Sequence, residues 1–502
     1  MKPKPVVLIQ LQSLILWSSF SVLYFATRLI NLKIVPIFTD EAIYTYWAQV
    51  ALHDPANRFI SLEDGKQPLF IWIAAIFQQF IPDPLIAGRL VSVFAGFGSL
   101  VGIYFLARLL FSEKVAKLAA FLYVILPFTL LYDRMALFDS LLTMLGIWAV
   151  YFSIKMAKDP RFETAMLASF AIGLTMITKS SGILFLYLLP FSLLVFNFKS
   201  RDYSFRLFKW AIFSVVTFLL SQVIYNSLRL SPLFYMIERK ESEFIRSFNE
   251  IINNPFIQLP SNLHALISWF VQYNGWPLTI IAVLVITWGL IRRKGVIILL
   301  SVYALAPFLA ESIFNKVLYP RFMLFYFPYI VILVSFGVIN LIRWKNYLKY
   351  LWVIFAIIFV FPAINSYRLL TEPPKANIAD ADLGQYLNDW PAGYGVEEIV
   401  AILKHETKSQ PVYVGTEGTF GLLPFAIQIY FYSNPNIQIT GFWPVRDIPQ
   451  QVLEAAKVKK TFFVFNENQN LPDDPGNPRL KLIGKYQKGR GNSFMRFYEV
   501  VP

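Results

Sequence analysis

Long apolar segments separated by short loops dominate this chain. Each segment has about the 20 residues that a helix needs to cross the hydrocarbon core of a bilayer. We find about eleven, at 7–30, 86–110, 115–132, 137–156, 163–178, 181–197, 207–228, 263–291, 295–313, 320–342 and 349–366. A backbone in lipid has no water to bond to, so segments of this length are predicted to be helices. The chain is therefore predicted to be a polytopic α-helical membrane protein.

The basic residues predict an orientation for these spans. The loops on one side are basic throughout, from Lys2 and Lys4 at the start to Arg292, Arg293 and Lys294 further along. The loops on the other side mix acids with bases. Lysine and arginine are enriched in cytoplasmic loops, so the basic side is predicted to face the cytoplasm. An odd number of spans then places the mixed loops and the C-terminus outside.

The composition agrees with a membrane protein and excludes other classes. Hydrophobic residues make up 56% of the chain and aromatic residues 17%, more than in an ordinary soluble domain. The formal net charge is +14, but the basic residues are spread over many loops, so nucleic acid is not predicted as a partner. The chain has no cysteine, which excludes disulfides and thiolate metal sites.

Hydropathy falls beyond the last apolar segment, where Pro373 and Pro374 mark a break. We therefore divide the chain into a transmembrane domain, 1–370, and a water-soluble domain, 373–502. In the second, helical patterns alternate with the strand patterns PVYVGTE, NIQITGF and KKTFFVFNE. Two further strand patterns, RLKLIGKYQKG and NSFMRFYEV, are predicted to pair. This alternation predicts a small α/β domain, which the orientation places outside the cytoplasm.

A polar, acidic stretch follows the first apolar span and begins with the acid pair Asp40 and Glu41. The run TDEAIYTYWAQVAL places Ile43 and Trp47 on one stripe, which predicts a helix lying in the membrane interface. The plain interpretation is a solvated loop with an aromatic belt. Asp40 has a second simple interpretation, as the cap of the helix that follows it. A further amphipathic helix is predicted over 232–252, as a surface lid.

Five motifs on the mixed-charge side carry a resemblance: TDEAIY, GKQPLFIW, YDRMALFDSLL, TKSSGILFLYLLP and LYPRFMLFYFPY. In these motifs and in their order the chain resembles the bacterial GT-C membrane glycosyltransferases, which include protein O-mannosyltransferases and the aminoarabinose transferase that modifies lipid A. The resemblance covers roughly 1–370. The chain departs from the EKPPL-like run of relatives at Gly65 and Gln67, and it carries Glu63 and Asp64 just before them.

The resemblance implies a GT-C fold and a glycosyl transfer on the outer face of the membrane. The sugar, mannose or another hexose or pentose, would come from a polyprenyl-phosphate-linked donor, with inversion at the anomeric carbon. The acceptor stays open between a protein, a lipid and a glycan, and membrane lipids surround the chain. No cofactor and no metal site are assigned, although Glu63, Asp64 and Asp139 are hard oxygen ligands that suit a divalent cation.

The transfer needs a base, because an acceptor hydroxyl is a poor nucleophile until a carboxylate takes its proton. Asp40 is predicted to be this general base. Glu41 is predicted to orient Asp40, to bind the acceptor, or to keep Asp40 charged. Three acids are assigned to the sugar or the acceptor: Glu63, Asp64 and Asp139. For Asp139 a simple ion pair with Arg134 is the alternative.

The leaving phosphate gains negative charge in the transition state and needs fixed cations. Four basic residues near span ends are predicted to bind it: Lys66, Arg134, Lys179 and Arg321. Each of them alone is equally well explained as a membrane anchor that extends its charged end to the interface. The four together favour a phosphate site, and Arg321 is the strongest candidate.

Two other functions fit a chain with many spans. A transporter or lipid flippase would carry polar or ionisable residues at mid-span, broken helices and inverted repeats. The spans here are apolar through their middles, with the charges gathered at one face, which favours chemistry at the surface. A structural or receptor protein would use the soluble domain to bind a partner, but it would need far fewer spans as an anchor.

Overall fold

Each apolar segment predicted from the sequence coincides with a helical segment of the structure, a computed structural model that describes residues 6–343, 351–466 and 478–502. The α-helices before the C-terminal domain are α1 (Val6–Leu29), α2 (Thr39–His53), α3 (Leu69–Gln78), α4 (Pro84–Leu110), α5 (Glu113–Ile125), α6 (Pro127–Tyr132), α7 (Phe138–Lys158), α8 (Phe162–Met176), α9 (Ile183–Tyr187), α10 (Tyr203–Asn226), α11 (Met236–Phe244), α12 (Phe248–Asn253), α13 (Leu259–Ile291), α14 (Gly295–Phe314), α15 (Phe327–Arg343) and α16 (Leu351–Thr371). Lys2 and Lys4, used to orient the spans, lie outside the described residues.

The predicted membrane protein is confirmed. In the described part of the chain, five helices are both long and apolar enough to cross a membrane: Pro84–Leu110, Phe138–Lys158, Tyr203–Leu230, Leu259–Ile291 and Gly295–Phe314. Other apolar helices are shorter. The predicted span 181–197 is a run of short helical turns, Ser180–Val195, because Pro190 lacks the N–H that a continuous helix needs. Helix α13 is bent at Gly275, where φ is 79°.

The C-terminal domain is an α/β sandwich around a five-stranded sheet. Its helices are α17 (Asp380–Leu383), α18 (Val396–Glu406), α19 (Leu422–Gln428) and α20 (Gln450–Ala456), and its strands are β1 (Val412–Glu417), β2 (Ile437–Phe442), β3 (Lys460–Phe465), β4 (Leu480–Gln487) and β5 (Phe494–Val500). The strand order is β2-β1-β3-β5-β4. Strand β1 pairs in parallel with β2 and β3, whereas β5 pairs antiparallel with β3 and β4.

Both faces of this sheet are covered, as the alternation of side chains along β1 requires. Val412 and Val414 pack in one cluster with α18 and α19, and Tyr413 packs in another with Val452 of α20. The predicted strands are all present. Helix α20 was not predicted, because its seven residues are too few to show a clear helical period.

Helix α2 differs from the prediction of an interfacial helix. Ten of its 15 residues are buried, because the C-terminal domain covers the side that would otherwise face the interface. The amide of Gln49 donates to the carbonyl of Ile429 at 2.7 Å. The ring of Tyr46 stacks on Phe425, with 4.5 Å between their centroids. Helix α2 is thus enclosed between the transmembrane helices and the C-terminal domain.

A buried ion pair holds the start of α2. The guanidinium of Arg89, in α4, donates to both carboxylate oxygens of Glu41 at 2.8 and 2.7 Å, and both side chains are fully buried. The same carboxylate accepts from the backbone N–H groups of Phe38 and Ala136 at 3.0 and 2.7 Å. Arg89 also donates to backbone carbonyls in the segment before α2, including that of Leu32 at 2.7 Å. Glu41 therefore joins α2, α4 and the segment before α7.

A second buried carboxyl anchors α17, the first helix of the C-terminal domain. Asp382, in α17, is fully buried and accepts hydrogen bonds from the hydroxyls of Tyr132 and Tyr273. Burial raises the pKa of Asp382 to about 7, against the opposing effect of the two tyrosine hydroxyls and of Arg321. Helix α17 is thus attached to α6 and α13 through the carboxyl of Asp382, which titrates near neutrality.

Substituting Arg89→Ala leaves the carboxylate of Glu41 charged and unpaired in the interior. We expect it to lower the free energy of unfolding by about 3–5 kcal/mol, measured by thermal unfolding of the detergent-solubilised protein. Arg108→Ala is the matched control, because Arg108 pairs with Glu113 at 3.2 Å in an exposed position and such pairs contribute about 0–1 kcal/mol. Equal losses in the two variants would contradict a stabilising role for the buried pair.

The folded protein is expected to lose stability as the pH rises through the pKa of Asp382. An unfolded aspartate titrates near pH ~4, and the pKa of Asp382 in the folded state is about 7. Protonation therefore favours the folded state, and its contribution is complete below pH ~4 and lost by pH ~7. Asp382→Asn carries no charge at any pH, so its melting temperature should fall less from pH ~5 to pH ~8. Parallel pH profiles for the two proteins would exclude this titration.

Candidate active site

A cavity of about 700 Å³ lies between the ends of the transmembrane helices and the C-terminal domain. Its walls come from α2, the loop before α3, the start of α7, the segment after α8, helix α11, the end of α14, the turn before α15 and two loops of the C-terminal domain. Six of the nine residues predicted for the site line it: Asp40, Asp64, Lys66, Asp139, Lys179 and Arg321. The fold thus brings together motifs that are far apart in the sequence.

Asp40 and Arg321 form an ion pair in this cavity. Asp40 is the second residue of α2, and its Oδ2 lies 2.8 Å from Nη2 of Arg321. The guanidinium also lies over the rings of Tyr319 and Phe38, at 5.1 and 5.5 Å from their centroids. The backbone N–H of Phe38, at the start of α2, donates to the carboxylate of Glu41. The side chain of Asp40 does not cap its own helix and instead faces the guanidinium of Arg321. Within the described residues, Nη1 of Arg321 is buried without a partner.

A second ion pair joins Lys179, after α8, to Asp139 in the first turn of α7. Their Nζ and Oδ1 atoms are 2.7 Å apart, and the ammonium of Lys179 lies 4.2 Å from the ring centroid of Phe322. Asp139 therefore pairs with Lys179 and not with Arg134, the partner considered from the sequence. The two ion pairs are linked through Phe322, which also contacts the guanidinium of Arg321.

Lys66 differs from the other cations of the cavity, since no acid of the described residues lies within ion-pair distance of it. Its ammonium lies 4.7 Å from the ring centroid of Phe244. Burial lowers the pKa of Lys66, and the negative charges of Asp64 and Asp40 only partly oppose this effect. A partly buried cation without an acidic partner among the described residues is suited to bind an anion.

At Gly65, where the chain departs from the EKPPL-like run considered in the sequence analysis, the structure requires a glycine. Its φ is 67°, and a Cβ there would lie 2.6 Å from Cβ of Lys240 in α11. A glycine is therefore required for α11 to approach this closely. The next residue but one, Gln67, donates from Nε2 to Oγ of Ser180 at 2.5 Å.

The predicted lid over 232–252 is two helices, α11 and α12, and not one. The chain turns between them because Arg246 is tied to neighbouring backbone: its N–H donates to the carbonyl of Phe314 at 2.8 Å and its guanidinium to that of Glu250 at 2.6 Å. Helix α11 lines the cavity, and Lys240 on it pairs with Asp64 at 3.1 Å.

Two acids in the cavity wall were not predicted, Glu241 in α11 and Glu311 in α14. Burial raises the pKa of Glu241, while a hydrogen bond with Ser180 opposes the rise. Glu311 accepts from the hydroxyl of Tyr326 at 2.9 Å. Both acids lie in segments that carry acids and bases together. That mixed charge was the sequence feature that could have identified them as site residues. Among the described residues, no group of three acids or histidines is placed to hold a metal ion.

Three of the predicted residues are not brought to the cavity. Glu41 is enclosed by Arg89. Arg134 donates to carbonyls in the last turn of α1, such as that of Thr27 at 2.9 Å, and to that of Asn31 just after it at 2.6 Å, so it caps a helix. Glu63 is exposed and does not line the cavity. Consequently Glu63, Asp64 and Asp139 do not form the cation site that their chemistry allowed.

Comparison with known proteins gives one family over part of the chain and several solved structures that share one fold. Residues 65–225 match the family "Dolichyl-phosphate-mannose-protein mannosyltransferase". The sequence matches no curated protein. The crystal structure of ArnT from Cupriavidus metallidurans in the apo state is 14% identical, with a TM-score of 0.58 over 98% of each chain. The same protein bound to undecaprenyl phosphate has the same identity and TM-score over 97% of this chain and 98% of its own.

A more distant match is the archaeal oligosaccharyltransferase AglB from Archaeoglobus fulgidus, in complex with an inhibitory peptide and a dolichol-phosphate. It is 11% identical, with a TM-score of 0.54 over 90% of this chain and 69% of its own. Identities this low establish the fold alone. The chain therefore has the GT-C fold of membrane glycosyltransferases, and over residues 65–225 it matches the dolichyl-phosphate-mannose-protein mannosyltransferase family, as its sequence motifs indicate.

Proposed function

We propose that the protein is an integral-membrane glycosyltransferase that moves a sugar from a polyprenyl-phosphate-linked donor to a hydroxyl acceptor. The observation that carries the proposal is a single cavity holding the carboxylate of Asp40 and the unpaired ammonium of Lys66, with Lys179 and Arg321 in the same wall. The structures of ArnT with undecaprenyl phosphate and of AglB with a dolichol-phosphate support a lipid phosphate as the leaving group. We assign mannose, or another hexose or pentose, as the sugar.

The transfer is a single displacement. The acceptor oxygen forms a bond to C1 of the sugar while the bond between C1 and the phosphate oxygen breaks. The hydroxyl proton passes to Asp40, and the electron pair of the broken bond leaves with the lipid phosphate. Because the acceptor attacks opposite the leaving group, the configuration at C1 is inverted.

The residues around Asp40 position this base, bind the phosphate and bind the sugar. Arg321 holds one oxygen of Asp40 at 2.8 Å, which leaves Oδ1 without a hydrogen bond among the described residues to take the proton. Lys66 binds the phosphate, and the buried Nη1 of Arg321 is a second donor for it. Asp64 and Asp139 are candidates for sugar hydroxyls. Glu41 and Arg134 orient this site through the backbone without touching substrate.

The charge asymmetry of the loops supports a cavity and a C-terminal domain on the outer face of the membrane. A lipid-linked sugar reaches such a cavity from the bilayer, because its chain stays in lipid while the phosphate meets Lys66. The acceptor then enters from the aqueous side, beneath the C-terminal domain.

Replacing the unpaired cation tests the phosphate site without knowledge of the sugar. Lys66→Met should weaken binding of undecaprenyl phosphate by about 10-fold or more, since a charged hydrogen bond contributes about 1.5–3 kcal/mol. Binding is measured by the ligand-induced rise in melting temperature of the detergent-solubilised protein. Lys316→Met is the control, because Lys316 pairs with Glu250 outside the cavity lining. An unchanged affinity in Lys66→Met would assign the phosphate to another cation.

Asp40→Asn tests the base. The asparagine keeps the shape of the side chain but cannot accept the proton, so turnover at saturating donor should fall about 100- to 10,000-fold. Turnover is followed as the release of undecaprenyl phosphate from hexosyl- and pentosyl-phosphoryl-undecaprenol donors in native membranes, which supply the acceptor.

Two measurements accompany this variant. Undecaprenyl phosphate should still bind to it, which shows that the cavity is intact. Asp54→Asn, just after the other end of α2, should keep its turnover, because among the described residues the carboxylate of Asp54 accepts only from Ala56 and Asn57 in the following turn. Near-normal turnover in Asp40→Asn would remove Asp40 as the base and leave Asp139 and Glu311 to be tested.

A further inference from the structure

The C-terminal domain supplies part of the cavity wall. Trp390, Phe420 and Gly421 all line the cavity, although they stand more than 300 residues after Asp40 in the sequence. The side chains of Trp390 and Phe420 are 49% and 53% exposed. Large aromatic rings that remain half exposed at the wall of a cavity are groups available to a ligand.

Hydrogen bonds fix the segment around Trp390 next to Asp40. The carbonyl of Pro391 accepts from the backbone N–H and from the hydroxyl of Thr39, both at 3.1 Å. The N–H of Gly393 donates to the carbonyl of Ile37 at 2.8 Å. Trp390 is therefore one residue from the segment that fixes the start of α2, and Asp40 follows Thr39 directly.

The second ring is fixed in a similar way. Phe420 lies 5.4 Å from the ring of Phe425 and 6.3 Å from that of Trp47 in α2. The next residue, Gly421, has a φ of 110°, and a Cβ there would come within 3.3 Å of Cγ2 of Thr39. The close approach of this loop to Thr39 thus places Phe420 beside the same end of α2.

Charge is distributed unevenly around the cavity. Every charged residue in its lining comes from the transmembrane part or from α11: Asp40, Asp64, Lys66, Asp139, Lys179, Lys240, Glu241, Glu311 and Arg321. The lining residues of the C-terminal domain carry no charge. This charged side contains both acids and bases, and all the lysines and arginines of the lining lie on it. A lipid phosphate is drawn to these cations, so the uncharged aromatic side is left for the other substrate.

The aromatic side suits a neutral sugar ring. The C–H bonds on one face of a pyranose carry partial positive charge and pack against the negative face of an aromatic ring. The indole N–H of Trp390 makes no hydrogen bond within the described residues, so it is available to a sugar hydroxyl. A phosphorylated acceptor would need a cation on this side, and the lining that the C-terminal domain contributes has none.

We propose that Trp390 and Phe420 form the acceptor subsite, and that the acceptor is a neutral saccharide whose hydroxyl attacks the donor beside Asp40. This inference rests on the proposed glycosyl transfer and adds the chemical class of the second substrate. Trp390 and Phe420 bind and orient the saccharide, while Asp40 takes its proton.

The kinetic test uses the full-length protein with the donor that turns over fastest and three acceptor probes. They are methyl α-mannopyranoside, a serine- and threonine-containing peptide, and a phosphorylated glucosamine disaccharide lipid. Transfer to the mannoside is expected. Trp390→Ala should raise KM for the mannoside about 3- to 10-fold and leave KM for the donor unchanged, because one stacking contact is lost. Trp390→Phe should recover part of the loss.

Trp443→Ala is the matched control, since Trp443 is 54% exposed on the same domain and does not line the cavity. Transfer to the peptide or to the phosphorylated lipid alone would overturn the saccharide assignment while leaving glycosyl transfer in place. An unchanged KM for the mannoside in Trp390→Ala would overturn the subsite. Absence of both donor cleavage and undecaprenyl phosphate binding would instead overturn the proposed function.

A binding measurement needs no turnover. In protein labelled with 5-fluorotryptophan, the ¹⁹F resonance of Trp390 is assigned by its loss in Trp390→Phe. Titration with methyl α-mannopyranoside should shift this resonance and leave that of Trp443 in place. A resonance of Trp390 that does not move, in the presence or absence of undecaprenyl phosphate, would overturn the proposal.

Discussion

The buried carboxylate of Glu41 is the interaction on which the site depends. A fully buried charge is tolerated only when it is paired and hydrogen-bonded on all sides, and Glu41 achieves this with Arg89 and with the backbone of two other segments. The first turn of α2 is therefore fixed against α4 and the start of α7. Asp40, the next residue back, is released from any capping task and meets Arg321 in the cavity.

The acids of the cavity also meet the requirement that a buried charge be paired. Asp40, Asp139 and Asp64 are each matched by a cation, Arg321, Lys179 and Lys240. Paired charges of this kind keep their positions without a ligand and need little reorganisation when one binds. Lys66 has no such acidic partner among the described residues, which leaves its ammonium available to an anion. The arrangement is suited to the negatively charged leaving group of the proposed transfer.

The C-terminal domain packs directly against the transmembrane part of the molecule at the candidate site. Its residues share a hydrophobic cluster with Ile37, Ala42 and Leu85 of the transmembrane part, and its backbone bonds to the segment just before Asp40. Helix α2 therefore has one side against the transmembrane helices and the other against this domain. A substrate that enters between them meets groups from both parts of the chain at once.

Much of the fold was predictable from local pattern. Apolar length identified the helical segments, runs rich in β-branched and aromatic residues identified every strand of the C-terminal sheet, and the ordered motifs indicated the GT-C fold. These signals are local, because hydrophobic period and turn residues act over a few positions. The candidate site was predicted in part: the sequence identified Asp40, Lys66, Lys179 and Arg321 as residues of one face, but it missed Glu241, Glu311, Trp390 and Phe420.

The sequence by itself determined that this chain crosses the membrane many times and carries acids and bases together at one side. Only the tertiary structure decided between the adjacent acids Asp40 and Glu41. On a helix, neighbouring side chains point about 100° apart, so one faced Arg89 in the interior and the other faced Arg321 in the cavity. The structural acid is Glu41 because Arg89, 48 residues away in the sequence, lies beside it, and Asp40 faces the cavity beside Arg321, 281 residues away. A local sequence pattern cannot predict contacts over such separations.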